Sequence, residues 1–237
     1  MSRYKKKDQS ARNNSMTVRY DDLLEFKPIT KNQNYAVSAW DEGDNLVLSG
    51  SAGTGKTFIA MYLALEEVLS KEYQAEKLVI VRSVVPVREI GFLPGTAEEK
   101  VETYTAPYRT IATELFGDVA AYNKMINSNQ LVFESTSFMR GITYDDAVIM
   151  VDEMQNLNFH ELDSVITRIG KNCRVIFSGD YYQTDFTHDN DKNGIMKFMS
   201  IVEQLKNFSV ITFGWDDIVR SDFVRDYIMT KEMLKIT

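Results

Sequence analysis

Six short runs dominated by apolar residues, at 46–48, 78–81, 131–133, 147–151, 175–177 and 210–213, predict buried strands. Between them, apolar residues recur every three or four positions. Phe58-Ile59-Ala60-Met61-Tyr62-Leu63-Ala64-Leu65 reads as a buried helix. Val101, Tyr104, Tyr108, Ile111 and Leu115 mark one face of a second helix, which Pro107 is expected to kink or divide and Gly117 to end. Leu162, Val165, Ile166 and Ile169 mark a third, closed by Gly170. Further helices are expected at 35–40, around 195–206 and from about Asp217. Strands alternating with helices predict an α/β fold: a mostly parallel sheet with helices on both faces. The turn-rich and helical block 84–129 reads as a helical insertion on that core. Residues 1–20 are polar and aperiodic, a flexible arm before a single domain at 21–237.

In open parallel sheets, ligands lie beyond the carboxyl ends of the strands. Three strand ends here carry chemistry. After Leu46-Val47-Leu48 comes Gly50-Ser51-Ala52-Gly53-Thr54-Gly55-Lys56-Thr57, two glycines with four residues between them, then Lys and a hydroxyl residue. Gly50 and Gly55 permit the tight turn in which successive N–H groups face phosphate oxygens. Lys56 is placed to reach the β- and γ-phosphates, and the Thr57 hydroxyl to ligate Mg²⁺. The helix that follows directs its positive end at the same phosphates. The run 147–151 ends in Asp152-Glu153. Two adjacent carboxylates at the end of a buried strand need a cation or water to offset burial. Asp152 suits Mg²⁺, and Glu153 suits a general base toward an attacking water. The next strand ends in Gly179-Asp180-Tyr181-Tyr182-Gln183, whose Gln183 is placed to bond a γ-phosphate or that water. Arg82 and Ser83, at the end of 78–81, fall on the same edge.

The bulk properties narrow the setting. The chain has 237 residues, one cysteine and two histidines, too few for a disulfide framework or a zinc site and consistent with a reducing cytoplasm. Its charged amino terminus has no apolar signal region, and no apolar run approaches a membrane span. Arg3, Lys5, Lys6, Lys7, Arg12 and Arg19 against Asp8 give the first 20 residues +5, so the net −7 leaves −12 for the remainder. An acidic body is a poor general nucleic-acid binder, whereas a basic arm supplies phosphate contacts.

Asp152-Glu153-Met154-Gln155 with Gly179-Asp180 and Gln183 resembles motifs II and III of superfamily 1 helicase-type ATPases. The stretch 30–230 more closely resembles the PhoH-like (phosphate-starvation-inducible) ATPases. The phosphate loop, Gly91-Phe92-Leu93-Pro94-Gly95 with Glu99-Lys100-Val101, Phe138-Met139-Arg140-Gly141, Thr167-Arg168-Ile169-Gly170 and Asp217-Ile218-Val219-Arg220-Ser221 carry the likeness in that order. The resemblance implies a RecA-like P-loop NTPase core, ATP and Mg²⁺ as ligands, ATP hydrolysis, and work on RNA or single-stranded DNA. It also implies that Gln33 contacts adenine. One RecA-like core cannot close a site between two, as a monomeric helicase does. A transition-state arginine must then come from this domain or a neighbouring copy, with Arg168, Arg220 and Arg140 as candidates. A ring-like homo-oligomer, of which a hexamer is one size, is the expected assembly. Two other readings remain open from the residues: a regulatory protein in which ATP only sets shape toward a protein partner, and a small-molecule kinase with 84–129 as its lid.

Overall fold

The four central apolar runs become strands covered on both sides, and the two edge runs, 131–133 and 210–213, are partly exposed. A computed structural model describes residues 16–83, 97–136, 141–180 and 189–234. Its strands are β1 (Asn45–Gly50), β2 (Lys77–Arg82), β3 (Leu131–Ser135), β4 (Ala147–Val151), β5 (Arg174–Gly179) and β6 (Phe208–Phe213). Among the described residues they form one sheet in the order β3-β2-β4-β5-β1-β6, with every neighbouring pair parallel. The helices are α1 (Lys31–Asp41), α2 (Lys56–Leu69), α3 (Ala97–Phe116), α4 (Ala121–Asn127), α5 (Phe159–Ile166), α6 (Asp189–Val202) and α7 (Asp222–Met233). This is the parallel α/β architecture that the alternation of runs predicts and the resemblance names as a P-loop NTPase core.

Side-chain alternation divides the core into two layers. Leu46, Leu48, Leu78, Ile80, Val148, Met150 and Ile176 point to the face covered by α1, α2, α3 and α4. Val47, Val79, Val81, Ile149, Val151, Val175 and Phe177 point to the face covered by α5 and α6. A one-residue slip of any central strand would exchange these sets, so burial on both faces and parallel pairing fix the register together.

The block expected as an insertion does more than decorate. Its described part, α3 and α4, is the crossover from β2 to β3, and Tyr108, Ala112, Leu115, Tyr122 and Met125 are buried in the first core layer. Pro107 does not divide α3, which is helical throughout Ala97–Phe116. Burial of its apolar face offsets the roughly 3 kcal/mol that an interior proline costs. Near the chain start, Val18 is buried, and its backbone exchanges bonds of 3.2 and 2.8 Å with the Gln130 amide. The expected flexible arm therefore does not extend through residue 20; residues 1–15 lie outside the described residues.

Three boundaries differ from the periodicity reading. α5 ends at Ile166, and Gly170 instead donates its N–H to Tyr144 O at 2.8 Å. α6 begins at Asp189 rather than near 195. Asp217 closes a 3-10 turn, Trp215–Asp217, before α7 begins at Asp222.

At the edge of the sheet away from these strand ends, Arg174 opens β5 under α1 and α2. Its guanidinium sits 3.3 Å from the Trp40 ring centroid and bonds Glu67 Oε2, Trp40 O and Asp44 O at 2.6, 2.6 and 2.8 Å. This cluster ties the first core layer together far from the strand ends that carry chemistry.

Candidate functional site

The ends of β1, β4 and β5 converge because β5 lies between the other two. From β1 the chain enters the loop 50–55 and then α2, whose first turn holds Lys56 and Thr57. Gly50 has φ 120°, and a Cβ there would collide with the Phe213 backbone at the end of β6. Only glycine lets the loop leave the sheet so close to its neighbour. Ser51 N–H bonds Phe213 O at 3.1 Å, and Thr54, fully buried, donates its hydroxyl to Ser51 O at 3.0 Å. Lys56 Nζ lies within the loop, donating to Gly50 O at 2.6 Å and Ser51 O at 2.7 Å. Burial holds its pKa below the ordinary lysine value, opposed by the charges of Asp180, Glu153 and Asp152. The loop therefore offers an ammonium and a helix N-terminus to an anion.

Asp152 leaves β4 almost fully buried, with 3 % exposed. Its Oδ1 accepts from Thr57 Oγ1 at 3.0 Å and its Oδ2 from Tyr108 OH at 2.8 Å. Burial, then the charge of Glu153, raises its pKa, while the bonds from Tyr108 and Thr57 and the charge of Arg82 pull it down. Thr57 and Asp152 are hard oxygen donors side by side. Among the described residues no group of three His, Cys, Asp or Glu could form an all-protein metal cage. Two hard ligands suit Mg²⁺, which keeps several waters and takes phosphate oxygens.

Glu153 has φ 52°, a left-handed conformation uncommon outside glycine. The turn takes it out of the strand line, and it lines the cleft. Gln155 bridges the two neighbouring strand ends: its Nε2 donates to Glu153 Oε2, and its Oε1 accepts from Asp180 N at 3.1 Å. A Cβ on Gly179 would fall on Gln155 Oε1 and Met154 N, so the absence of a side chain there makes the bridge possible.

These groups surround a cleft of 740 Å³, within the usual range of small-molecule sites. The phosphate loop, Arg82, Asp152, Glu153, Gln155, Asp180 and Arg220 line its polar end. Phe26, Ile29, Gln33, Phe58 and Ile111 line an apolar end, where the Phe26 and Phe58 rings lie 5.4 Å apart. Gln33 is buried; its Oε1 accepts from Ile29 N at 2.9 Å and its Nε2 donates to Thr54 O at 3.3 Å. It joins the apolar end to the phosphate loop.

The expected site residues thus separate into three groups. Gln33, Gly50, Ala52, Gly53, Thr54, Gly55, Lys56, Thr57, Asp152, Glu153 and Arg220 line one cleft, and Ser51 belongs to the same loop. Arg168 does not join them: its Nη1 donates to Ser164 O at 2.8 Å, and it is not among the residues lining the cleft. Gln183 and Arg140 lie outside the described residues. Tyr108, Phe26 and Glu232 were not expected, and Gln155 was marked only as the last residue of Asp152-Glu153-Met154-Gln155, without a role. Tyr108 reads as one more apolar position on a helix, and nothing local marks Glu232, whose Oε2 accepts from Ser51 Oγ at 3.0 Å. Arg82 carried a signal as the charged end of an apolar run. Here Tyr108 and the carboxylates of Asp152 and Glu153 raise its pKa despite burial, which acts to lower it.

The PhoH-like protein family model matches residues 25–231. The chain belongs to the PhoH-like family. It is 31 % identical over 203 residues to a PhoH-like protein of Mycobacterium leprae, covering 85 % of this chain and 57 % of that protein. It is 29 % identical over 191 residues to Protein PhoH of Escherichia coli, covering 80 % and 53 %. This family member thus spans little more than half the length of these curated relatives. Among solved structures, the large terminase of a thermophilic bacteriophage is similar over 87 % of this chain and 50 % of its own, with TM-score 0.51 and 14 % identity. That likeness is one of fold. No helix among the described residues is long and apolar enough to cross a membrane.

Proposed function

We propose that this PhoH-like chain binds ATP with Mg²⁺ and hydrolyses it, coupling the cycle to RNA or single-stranded DNA. The observation that carries the hydrolytic reading is the Thr57–Asp152 bond with Glu153 as the next residue, on the wall of the cleft that the phosphate loop lines. In this reading the loop N–H groups and Lys56 bind the β- and γ-phosphates, and Thr57 and Asp152 hold Mg²⁺, which neutralises phosphate charge when bound. Glu153 accepts the proton of the attacking water, and Gln155 orients the Glu153 carboxylate. Adenine occupies the apolar end between Phe26 and Ile29. Gln33 retains there one N–H and one lone pair beyond its bonds to Ile29 and Thr54. Gln183 senses the γ-phosphate.

Arg220 is supported as a charge-stabilising group because it lines the cleft within this chain. Arg168 retains a role only if a neighbouring copy presents it, which is the part a ring-like homo-oligomer plays in this reading, and Arg140 stays a candidate from either copy. The nucleic-acid step rests on the helicase-like motifs and on the charge of the amino-terminal stretch. The protein works in the cytoplasm, as its cysteine content suggests.

Glu153→Gln tests the chemistry. Turnover falls by about 10²–10⁴-fold, the usual share of a general base, while ATP binding is retained. Near-wild-type hydrolysis by this variant would remove Glu153 from the mechanism. Stimulation of wild-type turnover by single-stranded RNA or DNA that fades with salt supports the coupling. Hydrolysis indifferent to every nucleic acid points to ATP as a regulator of a protein partner.

A further inference from the structure

The two carboxylate oxygens of Asp152 are each bonded by a side chain from a different helix, Oδ1 by Thr57 of α2 and Oδ2 by Tyr108 of α3. From this geometry we infer that Tyr108 is a positioning residue, which fixes the Asp152 carboxylate for metal binding. The inference rests on the reading of Asp152 as the Mg²⁺ holder.

An aspartate side chain turns easily about its terminal bond, so one hydrogen bond leaves its plane poorly defined and two set it. Thr57 shares the side on which the metal is expected, through Oδ1. Tyr108 takes the other oxygen, Oδ2, at 2.8 Å. The phenol is itself held. It is fully buried, its ring lies 6.0 Å from that of Phe133 on β3, and the Arg82 guanidinium stands beside it. Burial and the neighbouring carboxylate push its pKa far above the ordinary tyrosine value, so it remains a donor throughout the physiological range. Without that hydroxyl, Oδ2 loses its bond while the Arg82 charge still attracts the carboxylate, which is then free to turn from Thr57. The hydroxyl is directed at Asp152 rather than at the phosphate loop, so the anion-binding groups do not depend on it.

α3 is also a wall of the cleft through Pro107, Thr110, Ile111 and Glu114. The residue that positions Asp152 therefore follows directly on one that faces the cleft. The unbroken passage of the helix through Pro107 keeps the two in fixed relation.

Tyr108→Phe in the full chain removes the hydroxyl and keeps the ring. ADP affinity is measured by calorimetry in chelator, then with Mg²⁺ added, and Mn²⁺ binding to the ADP complex is followed by electron paramagnetic resonance. ADP affinity without metal stays within about twofold, while metal affinity in the nucleotide complex falls about 10- to 100-fold, as for other residues that orient a metal ligand. Phe133→Leu, which loosens the ring packing and keeps the hydroxyl, lowers the melting temperature without that loss. If Tyr108→Phe is folded and binds metal as the wild type does, the inference is overturned. It is equally overturned if metal-free ADP affinity and melting temperature fall together with the metal dependence unchanged, because that pattern is packing alone. Asp152→Ala separates the two levels. Unaltered metal affinity in this variant removes the metal-holding reading itself, whereas its loss beside an unaffected Tyr108→Phe removes only the role of Tyr108.

Discussion

Thr57 and Asp152 are 95 positions apart in the chain, and their side chains meet at 3.0 Å, Oγ1 donating to Oδ1. The bond spans the end of β5, which separates the strands that lead to each residue. It brings the hydroxyl that closes the phosphate loop against the acid that closes β4. The two hard oxygen donors share one point only because the parallel strands end at the same level.

Thr57→Ala should therefore separate metal from phosphate binding. ATP affinity in Mg²⁺ weakens by about 1.5–3 kcal/mol, the worth of one bond to a charged group, and affinity in chelator changes much less. Thr57→Ser restores the metal-dependent part. Calorimetry in the two conditions checks this, and equal losses in both would assign Thr57 to the phosphate cradle instead.

Arg174→Ala should destabilise the fold by about 3–5 kcal/mol, because it leaves Glu67 buried without its charge partner. Glu67 Oε2 lies 2.6 Å from Arg174, and its side chain is 6 % exposed. Burial already raises the Glu67 pKa, with Arg174 pulling it down, so the substitution raises it further. An acid whose folded pKa exceeds its unfolded value costs stability when the pH lies above the folded value. That cost disappears as pH falls below the unfolded value. Urea denaturation should thus find a smaller defect at pH 5 than at pH 7. A defect independent of pH would place its cause in the lost packing on Trp40.

Glu232 places a carboxylate beside the phosphate loop, bonded by Ser51 Oγ and also by the Trp215 indole N–H. Glu232→Gln keeps the shape and removes the charge. A unit charge roughly 6 Å away, at an effective dielectric of about 40–80, is worth about 0.7–1.4 kcal/mol, so ATP should bind about 3- to 10-fold more tightly. The effect shrinks with added salt. The chain has two tryptophans, Trp40 and Trp215, so fluorescence in a Trp40→Phe background reports from the site directly. No change in affinity at low salt would rule out an electrostatic role for Glu232.

The alternation of apolar runs with helical periodicity was enough to read a parallel α/β sheet, because each strand buried on both faces must be apolar throughout. The phosphate loop, Asp152 and Glu153 were legible for a related reason. Each interrupts an apolar run at its carboxyl end, where polar residues are tolerated only by facing a ligand, a partner group or water. Pro107 does not divide its helix because propensity is local, whereas α3 is held by burial of Tyr108, Ala112 and Leu115. The +5 of residues 1–20 gave no hint that Val18 is pinned by Gln130.

The sequence by itself determined the order of strands and helices and marked the loop 50–57, Asp152 and Glu153, which the fold brings to one cleft, because those signals lie within a dozen consecutive positions. Only the tertiary structure decided which distant groups complete the site. Tyr108 on Asp152 and Glu232 on Ser51 are pairings in which one partner carries no local mark, and Gln155 between Glu153 and Asp180 joins two motifs that lie apart in the chain. A tyrosine in an apolar stripe and a glutamate on a surface helix look the same whether or not they reach a site. Their roles follow from helix packing angles and strand order, which fix where a hydroxyl or carboxylate ends up. Arg168 shows the converse: a position chosen for its place in a motif, whose guanidinium the fold directs to the carbonyl of Ser164.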